Sequence, residues 1–288
     1  MLIQIIDNHS KELISILNHT IEKSNDIRMA VAFVSRQGLS LIDSSMNYIC
    51  SKKANLEFLI GLDMRTTEPE ALKYIYNLSK SHNNITLYCY SSIEQSSIYH
   101  PKLYILKGPK TITSIIGSSN LTAGGLKKNI EVNMVVTIDE QDEILSDIYA
   151  TYNRLKFHPK RVIPDEEFIE YYASLCKIEK KERINFKRNN LTKDLLKTFE
   201  AKANSLQRPQ PTSNDLVGWT KLVFDKLPIG EFTTTQTYVY ENEFVNLYPE
   251  NRNIKAKIRQ QLQVLRDLSL IEHVGKSKWR KTDQYIKK

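Results

Sequence analysis

Six short apolar runs, each rich in β-branched or aromatic side chains, recur between Ile27 and Val136 and limit this chain to a sheet-containing fold. They are Ile27–Val34, Leu56–Gly61, Ile85–Tyr90, Lys102–Leu106, Thr111–Ile116 and Ile130–Val136. Runs of this length and composition suit a pleated, buried surface. Between some of them lies helical spacing, over Lys11–Lys23 and over Pro69–Ser81, the second opening with proline where a helix tolerates it. Strands alternating with helices predict an α/β domain, a mixed sheet flanked by helices, over residues 1–165.

The rest of the chain reads differently. No glycine occurs between Gly125 and Gly218, and Asp165–Ala203 is rich in Glu, Lys and Leu at helical spacing, which predicts helices that join or buttress domains. Ser205–Asn214 is polar and carries Pro209 and Pro211, as a linker would. The expected division is therefore a domain over 1–165, a helical connector and linker over 166–213, and a second domain over 214–288.

Charge separates the two ends. Between Arg252 and Lys288 there are eleven lysines and arginines against Asp267, Glu272 and Asp283, a net +8, which leaves thirty charges of each sign in the remainder. A basic terminal module on a balanced body points to a polyanionic partner, most simply double-stranded DNA. Cys50, Cys89 and Cys176 lie far apart and form no CxxC pair, so neither a disulfide framework nor a zinc site is expected, and a reducing cytoplasm fits. The N-terminus lacks a basic leader, and no stretch approaches about 18 apolar residues, so no membrane partner is expected.

One segment carries chemistry. Tyr99-His100-Pro101-Lys102-Leu103 is followed by Gly117-Ser118-Ser119-Asn120 and then Glu131. Breaking a phosphodiester without a metal or cofactor needs a nucleophile, cations or donors on the non-bridging oxygens, and an acid for the departing oxygen. Histidine can attack or donate because its pKa lies near neutrality. Alternation along a strand puts His100 and Lys102 on one face. Ser118 and Asn120 follow a strand ending at Gly117, where the absence of a side chain would admit an anion. Glu131, on the next strand, is placed to accept the other ring N–H of His100.

These residues resemble the phospholipase D superfamily, whose motif reads HxK, then GSxN, then a trailing acid, and more narrowly its single-motif nucleases, which include metal-independent restriction endonucleases. The resemblance implies that His100 forms a covalent phosphohistidine while Lys102, Asn120 and Ser118 hold the phosphate. One departure stands out. The fuller motif ends in an aspartate five residues after the lysine, and here that position is Lys107, so Glu131 is taken as the orienting carboxylate. HxK alone means little, since His9-Ser10-Lys11 and His158-Pro159-Lys160 also match. The second even has Asp165 at the full spacing, but without GSxN it reads as an interdomain turn.

In-line displacement needs the nucleophile and the leaving-group acid on opposite sides of phosphorus, and one histidine cannot stand on both. A single motif therefore predicts a homodimer with its active site on the twofold axis.

Past Asp215 the pattern is a short helix around Trp219, a stretch near Phe232, a helix around Tyr238–Leu247, and a helix opening after Asn253 with Ile254, Ile258, Leu262, Leu265 and Leu268 as one apolar stripe. Asn253 is positioned as its N-cap, and Gln260, Gln261 and Gln263 fall on the remaining faces. Gly275-Lys276-Ser277 then joins two strands of a basic hairpin. Three helices and such a hairpin predict a winged helix, with Arg252, Asn253, Lys255, Lys257 and Arg259 toward DNA bases and Lys276, Lys278 and Arg280 on the wing. The segment from Gly218 through Asp267 resembles the C-terminal winged helix of DpnI and related restriction proteins. It implies a restriction endonuclease whose sequence readout extends to N6-methyladenine. Trp219 and Trp279 are the aromatic candidates for a methyl group, against core or wing packing as the simpler role. The competing readings are a non-catalytic DNA-binding regulator that uses the first domain to dimerise, and a lipid or other phosphodiester hydrolase.

Overall fold

Each of the six runs forms a strand of one eight-stranded sheet in a computed structural model that describes residues 1–9, 11–52, 54–91, 98–185 and 190–282. The strands are β1 (Leu2–Asp7), β2 (Asp26–Val31), β3 (Asn55–Gly61), β4 (Ile85–Tyr90), β5 (Lys102–Lys107), β6 (Thr111–Gly117), β7 (Val132–Asp139) and β8 (Arg161–Val162), in the spatial order β1-β7-β6-β5-β2-β3-β4-β8. β2, β3 and β4 are parallel, β5 is antiparallel to both β2 and β6, and β1 and β8 close the edges antiparallel to β7 and β4. The sheet is mixed, as expected. β1 escaped notice because an edge strand buries little: only Ile6 of its residues is buried, while Leu2, Ile3 and Ile5 are exposed.

Helices α1 (Leu13–Ile21), α2 (Arg36–Ser40), α3 (Asp43–Lys52), α4 (Pro69–Ser81), α6 (Glu166–Asn185) and α7 (Asn190–Ser205) belong with the sheet, while α5 (Ile144–Lys156) falls in the other unit. α1 buries Leu13, Ile14, Leu17 and Ile21, and α4 buries Ala71, Leu72, Ile75 and Tyr76, against Met29, Val31, Phe58 and Tyr104 of the strands. The expected connector is part of this core. Phe168, Ile169, Tyr172 and Leu175 of α6 and Phe199 and Ala203 of α7 are buried in it, with Phe168 stacked 4.7 Å from Phe199. Within the stretch expected to be helical, residues 186–189 lie outside the described residues.

The chain divides into two compact units, residues 1–137 with 159–209, and residues 138–158 with 210–288. The division falls elsewhere than the expected boundaries, because α5 belongs with the C-terminal module. Ser146 Oγ accepts from the Trp219 N–H at 2.6 Å, Asn153 Nδ2 donates to the Asp215 carbonyl at 2.6 Å, and Lys156 Nζ donates to Asp215 Oδ1 at 2.8 Å. Ala150 of α5 lies in that unit's core. A helix read from spacing alone carries no label saying which core it will join.

The second unit is the winged helix: α8 (Gly218–Lys226), β9 (Phe232–Thr233), α9 (Thr234–Thr237), α10 (Glu241–Leu247), α11 (Ile254–Asp267), β10 (Ile271–Gly275) and β11 (Lys278–Lys281). Its antiparallel sheet runs β10-β11-β9. The stripe Ile254, Ile258, Leu262, Leu265 and Leu268 is buried as expected. Gln261, expected on a polar face, is also buried, since it lies three residues from Ile258 and four from Leu265. Its Oε1 accepts from Thr220 Oγ1 at 2.6 Å. Among the described residues no helix is long and apolar enough to cross a membrane.

Burial alone would raise the pKa of Asp215, but Lys156 and Thr212 hold it below the ordinary carboxylate value. A depressed carboxylate stabilises the fold above its unfolded pKa of about 3.9, and that contribution disappears as pH falls through the folded value. Removing the cation strands a buried charge. Lys156→Ala should cost the second unit about 3–5 kcal/mol at pH 7, and the cost should shrink below about pH 4, as read by urea unfolding across pH. An equal cost at both pH values would refute the pairing as its source.

Candidate active site

The antiparallel register of β5 against β2 places Lys102 opposite Val31. Continuing that register sets His100 beside Phe33, and their rings meet edge to face at 5.4 Å. On the other side β6 places Ile116 opposite Leu103, so the Gly117–Asn120 segment leaves the sheet beside His100. The carboxyl ends of β2 and β6 and the start of β5 thus share one sheet edge, where open α/β sheets hold their ligands.

His100 is exposed at this edge, whereas Lys102 is buried. Lys102 Nζ lies 2.6 Å from His100 Nδ1 and 3.0 Å from Nε2, and it donates to the His100 carbonyl at 3.0 Å. Burial first, and the Lys102 charge second, hold the pKa of His100 below its ordinary value. Burial likewise lowers that of Lys102, opposed by the negative charge of Glu131. Both influences bias the imidazole toward its neutral form.

Asn120 meets the same edge from β6. The Phe33 N–H donates to its Oδ1 at 3.1 Å, which directs the amide oxygen inward and leaves Nδ2 with its two hydrogens as the free donor. Backbone ties set the loop: Leu121 bridges Val34, and Leu121 O accepts from the Ser35 N–H at 3.1 Å.

Three expectations read differently in the structure. Glu131 was to orient His100, but its carboxylate accepts from Ser118 Oγ and from Asn129 Nδ2 at 3.4 Å. β6 lies between β5 and β7, so Ser118 intercepts Glu131, which reaches Lys102 only through its charge. Ser118 in turn was to hold phosphate. Its hydroxyl donates to Glu131, and its oxygen accepts the Val132 N–H at 3.0 Å, so in this structure the donor faces Glu131. Gly117 also serves a different neighbour. A Cβ there would stand 2.4 Å from both Asn133 Oδ1 and the Val132 carbonyl, so its missing side chain admits β7 and not an anion.

Several positioning groups had no signal in the sequence. Asp63 Oδ2 accepts the Tyr99 N–H at 2.7 Å, immediately before His100. Tyr99 stacks on Tyr90 at 4.9 Å, and the guanidinium of fully buried Arg161 lies 4.5 Å from the Tyr99 ring centre. Tyr104 donates to the Ser119 carbonyl at 3.0 Å, and Asn133 Nδ2 donates to Ser119 Oγ at 2.8 Å. Asp63 is one acidic residue after a strand, and Arg161 one cation in a turn region; only the folded sheet brings them to Tyr99. Neither of the other HxK matches is followed by GSxN. Residues 158–160 lie at the unit boundary, Asp165 pairs with Lys202 at 2.7 Å, and Ser10 lies outside the described residues.

In the winged helix, Asn253 occupies the N-cap position without a side-chain cap, and Asn251 Oδ1 accepts its N–H at 2.8 Å. Arg252, Asn253, Lys276 and Lys278 are exposed without an ion-pair partner among the described residues. The other basic candidates are engaged within the unit. Lys255 pairs with Glu241 at 3.1 Å and Arg280 with Glu272 at 2.6 Å, while Arg259 donates to Tyr238 Oη at 2.9 Å. Lys257 is turned back to Asp147 of α5 at 3.3 Å and is largely covered. Trp219 is fully buried, stacked 4.4 Å from Tyr248, and Trp279 packs on His273 while donating to Thr234 Oγ1 at 2.9 Å. Both tryptophans are committed to packing.

A histidine and lysine at the mouth of a mixed sheet, faced by a GSxN loop and joined to a winged helix, define a phospholipase D-like phosphodiesterase, a hydrolase, with a DNA-binding domain. Residues 2–168 match the family model described as cardiolipin synthase, PLD-like domain, and residues 217–281 match the Dam-replacing HTH domain of the DpnI C-terminal type. The chain belongs to the phospholipase D-like family. Similar solved structures include NucT from Helicobacter pylori, at 12% identity and a TM-score of 0.40 over 54% of this chain and 92% of that one. Nuc from Salmonella typhimurium, a phospholipase D family member, is 18% identical with a TM-score of 0.36 over 48% and 83%. Phosphatidylserine synthase from Haemophilus influenzae is 15% identical with a TM-score of 0.44 over 64% and 46%.

Because Asn120 presents a free donor and Ser118 does not, their removal should differ. Asn120→Ala should lower kcat/KM on an activated phosphodiester by about 10²–10³-fold, and Ser118→Ala by about tenfold or less. Equal losses would return Ser118 to the groups that touch phosphate.

Proposed function

We propose that this protein is a metal-independent restriction endonuclease that cleaves duplex DNA as a homodimer in the cytoplasm, with a winged helix selecting the site. The observation that supports it most is the meeting of His100, buried Lys102 and the Asn120 amide at one sheet edge, in a chain that ends in a DpnI-type reader.

A ring nitrogen of His100 attacks phosphorus as the bond to the leaving strand's oxygen breaks. Lys102 and Asn120 Nδ2 take the charge that develops on the non-bridging oxygens. His100 of the partner subunit, protonated, gives its proton to the departing oxygen. It then takes a proton from water as that water attacks phosphorus, breaking the phosphorus–nitrogen bond and restoring His100. Glu131, anchored by Ser118, keeps Lys102 cationic despite its burial. One site on one axis cuts one strand at a time, so a double-strand break takes two sequential events. On the reader, Arg252 and Asn253 face bases while Lys276 and Lys278 meet phosphate. N6-methyladenine selectivity would then rest on groups other than the two packed tryptophans.

The test is duplex DNA, with and without N6-methyladenine, incubated with the protein in excess EDTA. Cleavage should persist in chelator, and His100→Ala should abolish it by about 10³-fold or more. Cleavage that appears only with magnesium would remove the metal-independent mechanism. Tight binding with no cleavage of either DNA would favour the regulator. The acid limb of kcat/KM should fall below about pH 6.5, because the attacking His100 has a lowered pKa and loses its lone pair only in stronger acid. For the wing, Lys276→Ala with Lys278→Ala should weaken binding evenly across sequences. The slope of log K against log salt should become shallower by about 2.

A further inference from the structure

A second basic feature lies in the first unit, at the end of β5 away from His100. There α1 and the chain leaving it, the β5–β6 turn, and the strands β1, β6 and β7 line an open cavity of about 920 Å³ whose basic side chains are exposed. Its charged lining is Lys11, His19, Lys23 and Lys110, and among the described residues no aspartate or glutamate lines it. Hydroxyls supply most of the rest of its polarity, from Ser15, Thr111, Thr113 and Thr137.

Some basic side chains of this unit have an acidic partner: Lys127 pairs with Glu12 at 3.5 Å, and Lys202 with Asp165 at 2.7 Å. None of the four cavity groups has an ion-pair partner among the described residues. Lys23 Nζ instead lies 2.8 Å from His19 Nε2, two basic groups in contact without a carboxylate. The dipole of α1 explains part of this, since bases are favoured near a helix C-terminus. It does not explain Lys11, which precedes the helix start, or Lys110, which comes from the β5–β6 turn. Gly108 lets that turn close in: a Cβ there would stand 3.0 Å from the Lys23 carbonyl. Ser15 and His19 stand one turn apart on α1, with Lys11 just before the helix and Lys23 just after it.

We infer that this cavity is an oxyanion site for phosphate groups, separate from the cleavage centre. It lies about 20 Å from His100 along β5, too far to share the reacting phosphate. Its ligand is phosphate-bearing, either the backbone of the DNA lying past the cleavage centre or a free nucleotide. Only the DNA source rests on the nuclease reading.

The test uses the full chain carrying Lys23→Gln and Lys110→Gln, beside a control with Lys52→Gln and Lys80→Gln, which lie outside the cavity. Titration calorimetry with ATP and, separately, with a 30-base-pair duplex on the His100→Ala background reads the two sources. The cavity variant should lose affinity for one probe by tenfold or more and keep the wild-type melting temperature; the control should bind as wild type does. Loss of ATP binding alone identifies a nucleotide site, even if the protein never cleaves DNA. Loss of duplex affinity with a shallower salt slope identifies a backbone track. Unchanged binding of both probes, or an equal loss in the control, overturns the site.

Discussion

The position of β5 between β2 and β6 is the constraint on which the active edge depends. β5 is antiparallel to both neighbours, so its first residues meet the last residues of each. His100 and Lys102 therefore arrive beside the backbone of Phe33 and beside the loop that carries Asn120, although these residues lie up to 87 positions apart in sequence. A slip of one residue in β5 would turn Lys102 to the opposite face of the sheet. Tyr104 guards against that, because its hydroxyl reaches the Ser119 carbonyl only in this register. The core beneath it, Met29, Leu106 and Ile115, fixes the same alignment through packing.

Much of this was legible in the chain because it depends on local period. The β-rich runs, the helix over Pro69–Ser81 and the apolar stripe of α11 each repeat at the spacing of their own element. What was not legible depends on neighbours distant in sequence. Gln261 is hydrophilic, yet its place in the stripe and the hydroxyl of Thr220 make it a core residue. Glu131 has the right chemistry to orient a histidine, but strand order puts Ser118 in between. α5 has an ordinary amphipathic pattern, and contacts such as the buried Lys156–Asp215 pair and the Ser146–Trp219 hydrogen bond decide that it packs in the C-terminal unit. The Asp63–Tyr99 contact could not be anticipated from either residue alone.

The basic terminus also proves less uniform than its net charge suggests. Lys255, Lys257 and Arg280 have acidic partners inside their own unit, and Arg259 is held by a tyrosine hydroxyl. Exposed pairs of this kind contribute little to stability, but they hold side chains in one orientation and reduce the charge offered to solvent. Lys257 is different in kind, because its side chain is mostly covered and lies against Asp147 of α5. Positive potential is therefore concentrated at the entrance of α11 and at the tip of the hairpin. Two separated points fix orientation on a duplex better than a diffuse patch does.

On the proposed mechanism, the lowered pKa of His100 suits it to attack more than to protonation. Burial and Lys102 both favour neutral His100, and the Glu131 charge acts on Lys102 and leaves the ring untouched. A group held neutral is a sound nucleophile and a poor acid at the same pH, so the two roles cannot be reconciled by tuning a single imidazole. On the proposed mechanism the second histidine must therefore sit in a different electrostatic setting when DNA is bound. A phosphate placed between two His100 rings provides that asymmetry: its charge favours protonation of the ring facing the leaving oxygen, while the ring bonding to phosphorus has given up its lone pair. A symmetric dimer then needs no difference in sequence between its halves, since the position of the scissile bond decides which histidine attacks and which one donates.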